Sequence, residues 1–221
     1  MPRLSYPKLA NMVKRGALIV LEGCDRSGKS TQCSNLVNYL TACNIDSKLL
    51  KFPDRTTSTG QMINSYLTNA TELNDQAVHL LFSANRWEAM DNMRSMLLSG
   101  TTLVVDRYVY SGVAFTAAKG LDMNWCKQPD VGLLTPDLVL FLDLPIEAAE
   151  QRGGFGEERY EKREMQINVR ELFLQLQDSL WQLIDANRTM QEIEMDIRQR
   201  VLSTLDTIHD KPLKQDLWTN K

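Results

Sequence analysis

The stretch from Ala17 to Cys43 limits what this chain can fold into more than any other part of it. An apolar run, Ala17 to Leu21, leads into a loop with two glycines, and an amphipathic helical pattern follows at once. From Gly23 the loop reads Gly-Cys-Asp-Arg-Ser-Gly-Lys-Ser, which fits the phosphate-binding-loop (P-loop) template at every fixed position. A buried strand, a glycine loop and a helix in this order let backbone N–H groups surround a polyphosphate. The stretch therefore predicts an α/β protein that binds a nucleoside triphosphate.

Two residues of this loop have side chains suited to phosphate chemistry. Lys29 would supply a positive charge to the β- and γ-phosphates, and Ser30 a hydroxyl ligand for Mg²⁺. A P-loop enzyme also needs an acid at the tip of a buried strand to hold the metal. The β-branched run from Thr101 ends at Asp106, whereas a second run ends at Asp143 with no functional polar group nearby. We expect Asp106 to hold the metal.

Composition excludes several classes of function. The chain has 221 residues, 43% of them hydrophobic, and a net charge of −3, so it has no overall basic field for a nucleic-acid polymer. No apolar run approaches the ~20 residues of a membrane span. The four cysteines lack metal-ligand spacing, which favours reduced thiols in the cytoplasm or the nucleus. Residues 1–14 are predicted to be a flexible, basic extension; they are weak as a transit peptide, although a mitochondrial location stays open.

The middle of the chain supplies candidate ligand-binding side chains. Ser47 to Phe52 reads as a strand, and Arg55 emerges just after it, at the strand edge where open α/β sheets bind ligands. In the helix predicted from Asn74, we expect an apolar stripe to face the core: Ala77, Leu80, Leu81, Ala84 and Trp87. Phe82 and Arg86 then point together away from that stripe, where they could stack on a planar ring and hydrogen-bond to its edge. Surface or packing roles for these residues stay open at this point.

Later segments complete the candidate site. Arg107 can reach a phosphate, and a helix after Ser111 and Gly112 carries Phe115, a second aromatic residue for the pocket. The charged, glycine-containing segment of about residues 152–164 has the composition of a closing lid. Two helices are predicted to end the chain, one running from Met165 to Leu183 and one opening at the capping box Thr189-x-x-Glu192. Residues 15–221 therefore read as one domain with a parallel sheet covered on both faces.

From about Arg15 onwards the chain resembles thymidylate kinases, most closely those of animals. The segments that carry the resemblance are RGALIVLEG, DRSGKSTQ, FPDR, LLFSANRW, VVDRY, SGVAF, WCKQPDVGL, PDLVLFLDL and FGEERYE. The resemblance implies a P-loop nucleoside-monophosphate kinase fold with a five-stranded parallel sheet and a lid. It also implies ATP- and Mg²⁺-dependent phosphorylation of dTMP to dTDP, a step in dTTP synthesis, by a homodimer.

The resemblance assigns expected roles residue by residue. ATP and Mg²⁺ would be bound by the phosphate loop, Asp106 and two distant arginines: Arg26, Ser27, Gly28, Lys29, Ser30, Thr31, Arg188 and Arg198. The dTMP site would comprise Asp25, Phe52, Arg55, Phe82, Arg86, Arg107, Ser111, Gly112, Phe115 and Tyr160. Within these sets, Arg55 and Arg107 would grip the dTMP phosphate, and Arg26 would act at the transferring phosphoryl group. Asp25 would hold the 3′-hydroxyl, and Tyr160 would disfavour ribose.

Alternatives remain. Another nucleotide kinase, acting on dUMP or on a nucleoside, lies in the same class, and a non-catalytic nucleotide-binding module lies outside it. A regulatory GTPase would need the motif N-K-x-D to read guanine and a glycine at the third position after Asp106, and the sequence lacks both.

Overall fold

A computed structural model describes residues 14–152, 159–208 and 210–219. The predicted N-terminal extension, apart from Lys14, and His209 lie outside the described residues, as does part of the predicted lid. The described strands are β1 (Leu18–Glu22), β2 (Ser47–Lys51), β3 (Thr102–Asp106), β4 (Leu138–Asp143) and β5 (Trp181–Asp185). The described α-helices are α1 (Lys29–Ala42), α2 (Ser58–Leu67), α3 (Asp75–Leu98), α4 (Val109–Ala117), α5 (Met123–Lys127), α6 (Ile146–Glu150), α7 (Arg163–Gln175) and α8 (Met190–Ile208).

The five strands form one parallel sheet in the order β2-β3-β1-β4-β5. Every residue of β1 and β3 is buried, because these central strands are covered on both faces, which explains their continuous apolar sequences. One face packs on α3, α4 and α7 through residues such as Phe141 and Phe173, and the other packs on α1 and α8. All strands run the same way, so their carboxyl ends share one edge of the sheet.

The chain segment after α7 corrects one prediction. The leucine spacing predicted a single helix from Met165 to Leu183, but the helix ends at Gln175 and Trp181–Asp185 forms β5. Parallel pairing with β4 outweighs the local pattern, since Leu140 faces Gln182 and Leu142 faces Ile184 across the ladder. Leu183, the last residue of the predicted helix, is 43% exposed on this edge strand.

The orientation of α3 corrects a second prediction. Most of the apolar stripe expected in the core, including Leu80 and Trp87, is exposed. The buried face is mixed and partly polar: Val78, His79, Ser83, Asn85, Arg86, Met90, Met93 and Leu97. Hydrogen bonds to neighbouring elements compensate this polar burial; for example, His79 bonds to Thr116 and to the Cys126 carbonyl.

Two local predictions about helix starts have clear outcomes. The capping box at the start of α8 is confirmed, because Thr189 N–H donates to Glu192 at 2.9 Å and Glu192 N–H donates back to Thr189 Oγ1 at 3.3 Å. The helix that carries Phe115 begins earlier than predicted, at Val109, so Ser111 and Gly112 lie within it rather than before it.

Phe173 provides a test of how α7 is held on the sheet. It is fully buried and contacts the rings of Phe141 and Trp181. We expect Phe173→Ala to lower the free energy of unfolding by about 3–5 kcal/mol, because it removes buried apolar area and leaves a cavity. Urea denaturation measures this change. The neighbouring Leu174, which is partly exposed, is the matched control. Equal losses for Leu174→Ala and Phe173→Ala would contradict the packing of Phe173 against the sheet.

Candidate active site

A cavity of about 770 Å³ opens at the carboxyl edge of the sheet. It is lined by the phosphate loop, the segment after β2, one face of α3, the start of α4 and the segment before α7. All candidate residues named from the sequence line this cavity except two. Asp106 lies behind the cavity wall, hydrogen-bonded to Ser30, and Arg198 lies elsewhere.

The phosphate loop has the backbone that its glycines predict. Gly28 has φ +95°, a left-handed conformation that L side chains rarely adopt, and it is the N-cap residue directly before α1. A Cβ at Gly23 would lie 2.6 Å from the Leu142 carbonyl, so only glycine fits beside β4 there. Lys29 folds back over the loop and donates to the Cys24 carbonyl at 2.6 Å. Burial lowers the pKa of Lys29 to about 8, because removal from water disfavours the ammonium.

Arg107 joins the phosphate loop to β3. It donates to Asp25 and, at 3.1 Å, to Ser111 Oγ. Burial acts to lower the pKa of Arg107, but Asp25 and Asp106 outweigh it and raise the pKa above its usual value. The guanidinium is therefore charged and held at the wall of the cavity.

The side chains expected to hold Mg²⁺ lie together. Ser30 Oγ donates to Asp106 Oδ2 at 2.5 Å, so the helix start after the phosphate loop contacts the tip of β3. Asp106 Oδ1 is buried without a hydrogen-bond partner among the described residues. Asp143, the acid that we set aside, is paired with Arg170 on α7 at 2.6 Å.

The far end of the cavity is lined by rings and one arginine. Phe82 and Arg86 line it from α3, as expected. Arg86 belongs to the buried face of that helix, and Phe82 is half-buried. Phe115 and Tyr160 line it too, with their ring centroids 5.4 Å apart. The flat shape of these side chains suits a planar base.

The arginines of the predicted lid segment have separate surroundings. Arg152 lines the cavity and donates to the Arg26 carbonyl at 2.7 Å, so it contacts the phosphate loop directly. Arg159 pairs with Glu72, away from the loop. Arg163 already belongs to α7 and pairs with acids of α6. The helix therefore begins inside the segment that we predicted to be a lid, and residues 153–158 lie outside the described residues.

The two arginines expected at the adenosine end of ATP differ. Arg188 lines the cavity and is fixed by Asp196 at 2.8 Å. Arg198 does not line the cavity, so its expected contact with ATP stays a prediction. One helical turn after Glu194, it pairs with that acid and stacks over the Tyr39 ring at 4.2 Å. Arg198 therefore packs against α1 and not against the cavity.

Three buried polar residues of the site were not singled out from the sequence. Glu22 accepts hydrogen bonds from the N–H groups of Tyr108 and Ser111, and burial raises its pKa. Gln166 binds both the backbone and the carboxylate of Asp25. Asp130 pairs with Arg86. Glu22 had a signal in the sequence, since it is an acid directly after the buried apolar run Ala17 to Leu21. Gln166 had no such signal, because the helical pattern took Met165 and Val169 as the apolar positions.

This geometry defines a class of protein. A phosphate loop, a strand-end acid beside its serine, and a second compartment with arginines and rings describe a P-loop phosphotransferase that acts on nucleotides. The thymidylate kinase family model matches residues 21–197. The chain belongs to the thymidylate kinase family.

Individual relatives agree with this assignment. The chain is 54% identical to thymidylate kinase from Arabidopsis thaliana, an alignment that covers 93% of this chain and 78% of that protein. It is 48% identical to thymidylate kinase from Homo sapiens, with 93% and 98% covered. The solved structure of thymidylate kinase from Candida albicans superimposes with a TM-score of 0.80 at 41% identity, covering 86% of this chain and 92% of that one. The predicted fold class, five parallel strands flanked by helices, is confirmed.

Cysteine burial leads to a labelling prediction. Burial raises the pKa of Cys24 to about 12 and that of Cys126 to about 11, and it also raises the pKa of Cys33, whereas Cys43 is exposed. Because the thiolate is the reactive form, we expect iodoacetamide at pH 8 to label the folded protein at Cys43. Peptide mass spectrometry locates the adduct, and Cys43→Ser should remove it. Rapid labelling of Cys24 in the folded protein would contradict the burial of that thiol.

Proposed function

We propose that this chain transfers the γ-phosphoryl group of ATP to dTMP, with Mg²⁺, and so produces dTDP for dTTP synthesis. One observation carries the proposal: the phosphate loop and a compartment lined by Phe82, Arg86 and Arg107 belong to a single cavity. Two nucleotides can therefore meet with their phosphates facing each other near Arg26. Thymidylate kinases, the family to which the chain belongs, act on dTMP by name.

The donor end of the cavity fits ATP. Backbone N–H groups of the loop and the start of α1 favour the negative phosphates. Lys29 adds a charge beside the loop, and Thr31 and Arg188 also line this end of the cavity.

The acceptor end fits dTMP. Phe82 would stack on the thymine ring, Arg86 would donate to its edge, and Arg55 and Arg107 would bind the phosphate; all four line the cavity. Arginine suits this task because its planar fork binds phosphate with two parallel hydrogen bonds. Phe52, Ser111 and Gly112 complete the walls of this end.

The sugar of dTMP would lie between the phosphate loop and the segment before α7. Asp25 is held by Gln166 and Arg107, and it would accept a hydrogen bond from the 3′-hydroxyl. The Tyr160 ring packs beside Phe115 and would fill the space of a 2′-hydroxyl, which favours deoxyribose.

The residues present fit a magnesium ion. Mg²⁺ binds through one or two carboxylates, hydroxyls and substrate phosphates, and Asp106 has a buried oxygen without a partner among the described residues, beside Ser30. We propose that Asp106 and Ser30 hold it. When bound, the ion supplies positive charge to the phosphates of ATP.

The protein itself supplies position and charge. Phosphoryl transfer spreads negative charge over the equatorial oxygens of the moving group. The attacking phosphate oxygen of dTMP is already ionised, so the reaction needs no general base. Arg26, which lines the cavity and lies 3.3 Å from Glu161, would neutralise that charge.

The proposed function is tested by ADP release in a coupled assay with ATP and Mg²⁺. We expect release with dTMP, weaker release with dUMP and none without an acceptor. A stronger response to dUMP or to a nucleoside would instead favour the neighbouring kinase activities. Nucleotide binding with no release on any acceptor would favour a non-catalytic module.

Arg26 provides the catalytic test. We expect Arg26→Ala to lower kcat by about 10²–10⁵, the range for a catalytic arginine, because the moving phosphoryl group loses its charge partner. Arg163→Ala is the matched control, since that arginine is exposed and pairs with α6. The Arg26 assignment fails if kcat of Arg26→Ala stays within about threefold of wild type, well below that range.

We propose further that the protein works as a homodimer that associates through α3. Ala77, Leu80, Ala84 and Trp87 recur at helical spacing on its exposed side. Leu80 is 49% exposed and Trp87 is 39% exposed. Such large apolar side chains, grouped on one exposed helix face, are typical of a surface that another protein covers. A second copy of the chain would cover this stripe. Among the described residues no helix is long and apolar enough to span a membrane, and the predicted cytoplasmic or nuclear location stays a proposal.

Association through α3 can be measured directly. We expect Leu80→Glu to shift the protein from dimer to monomer in sedimentation velocity, because it would bury a charge at the centre of the stripe. Leu183→Glu on β5 introduces the same charge at a leucine of similar exposure, 43%, and should leave the dimer intact. A dimer that persists in Leu80→Glu would place the interface elsewhere.

A further inference from the structure

The guanidinium of Arg86 is fixed by a carboxylate outside the cavity lining. Arg86 is 2% exposed and Asp130 is 0% exposed. Arg86 Nε donates to Asp130 Oδ1 at 3.1 Å, and Nη2 donates to Oδ2 at 2.6 Å. This two-point contact prevents the planar group from rotating about its last bonds.

The carboxylate is itself held in place. Ser83, one helical turn before Arg86, donates from Oγ to Asp130 Oδ1 at 2.7 Å. Trp87 Nε1 donates at 2.7 Å to the carbonyl of Pro129, the residue before Asp130. The backbone and side chain of this segment are therefore both tied to α3.

Gly112 leaves the space that the two terminal nitrogens of the Arg86 guanidinium occupy. A Cβ on Gly112 of α4 would lie 2.9 Å from Arg86 Nη2 and 3.0 Å from Nη1. Since Nε and Nη2 bind Asp130, Nη1 is the nitrogen without a hydrogen bond to another described residue, and Arg86 lines the cavity. The arginine thus presents a donor whose direction is set by its surroundings.

We infer that Asp130 is a positioning residue that makes Arg86 a fixed hydrogen-bond donor and so determines which pyrimidine the site accepts. This inference rests on the proposed function, in which Arg86 meets the base edge. A guanidinium only donates. Thymine presents a carbonyl oxygen at position 4, whereas cytosine presents an amino group that also donates. A fixed donor cannot turn away from that amino group, so cytosine is rejected.

The test compares the binding of dTMP and dCMP by titration calorimetry, together with KM for dTMP and for ATP. In Asp130→Asn one carboxylate oxygen becomes an amide N–H₂ group. This group cannot accept a hydrogen bond from Arg86, so one of the two contacts is lost. We expect dTMP affinity to fall about tenfold and the preference for dTMP over dCMP to fall by a similar factor, the scale of a lost charged hydrogen bond. KM for ATP should stay within about twofold, because the phosphate loop is untouched.

Asp137→Asn is the matched control. Asp137 makes a comparable two-point pair with Arg15, at 2.7 and 2.8 Å, remote from the cavity. The Asp137→Asn variant should be less stable than wild type but should keep the wild-type preference for dTMP over dCMP. The inference is overturned if Asp130→Asn keeps that preference, or if Asp137→Asn loses it equally.

Two further results separate the possible failures. If Asp130→Asn does not fold, Ser83→Ala is the deciding variant, since it removes one hydrogen bond from the Asp130 carboxylate without leaving a buried charge unpaired. We expect a smaller fall in the preference for dTMP over dCMP. An unchanged preference overturns the inference. Failure of the proposed function would give a different result: the wild-type protein would release no ADP with dTMP. Calorimetry reads base preference independently of turnover, so the two failures are distinguishable.

Discussion

Charge compensation at the carboxyl ends of β1 and β3 is the interaction on which the site depends. Two buried strands lie side by side, with Leu21 opposite Asp106, so the segments that follow them must share one small volume. Those segments carry Asp25, Lys29 and Arg107, and the two strands themselves end at the buried acids Glu22 and Asp106. Unpaired charges there would be very unfavourable. Asp25 and Asp106 lie close enough to Lys29 and Arg107 to favour their charged forms, and this allows the positive groups to be buried without anionic substrates.

Residues next to each other in the chain determined what the sequence could predict. Five consecutive apolar residues identify a central strand, and the phosphate loop between β1 and α1 requires only its own glycines and the neighbouring strand. The capping box before α8 is equally local. The sequence also placed Phe82 and Arg86 at the cavity, although it assigned them to the wrong side of α3.

Contacts between distant segments account for what the sequence could not predict. Leu183 fits a helical pattern in the sequence, but its segment pairs with β4 as a strand, and this pairing outweighs the local pattern. The apolar stripe of α3 looks like a core face. The inward face instead carries Arg86, which lines the cavity, and Asn85, which hydrogen-bonds to Asp54 in the segment after β2. Asp130 lies 44 positions from Arg86, and the charged residues of the sequence give no indication that these two would pair.

The paired charges also bear on the strength of substrate binding. Each long arginine side chain that a ligand immobilises costs about 0.5–1.5 kcal/mol of conformational entropy. Arg107 is already held by Asp25 and Ser111, and Arg86 by Asp130, before any nucleotide arrives. Folding has therefore already ordered them, and a phosphate or a base meets donors that point in one direction. The acids that allow the cations to be buried are, for the same reason, the groups that orient them, so stability and recognition in this site share one set of contacts.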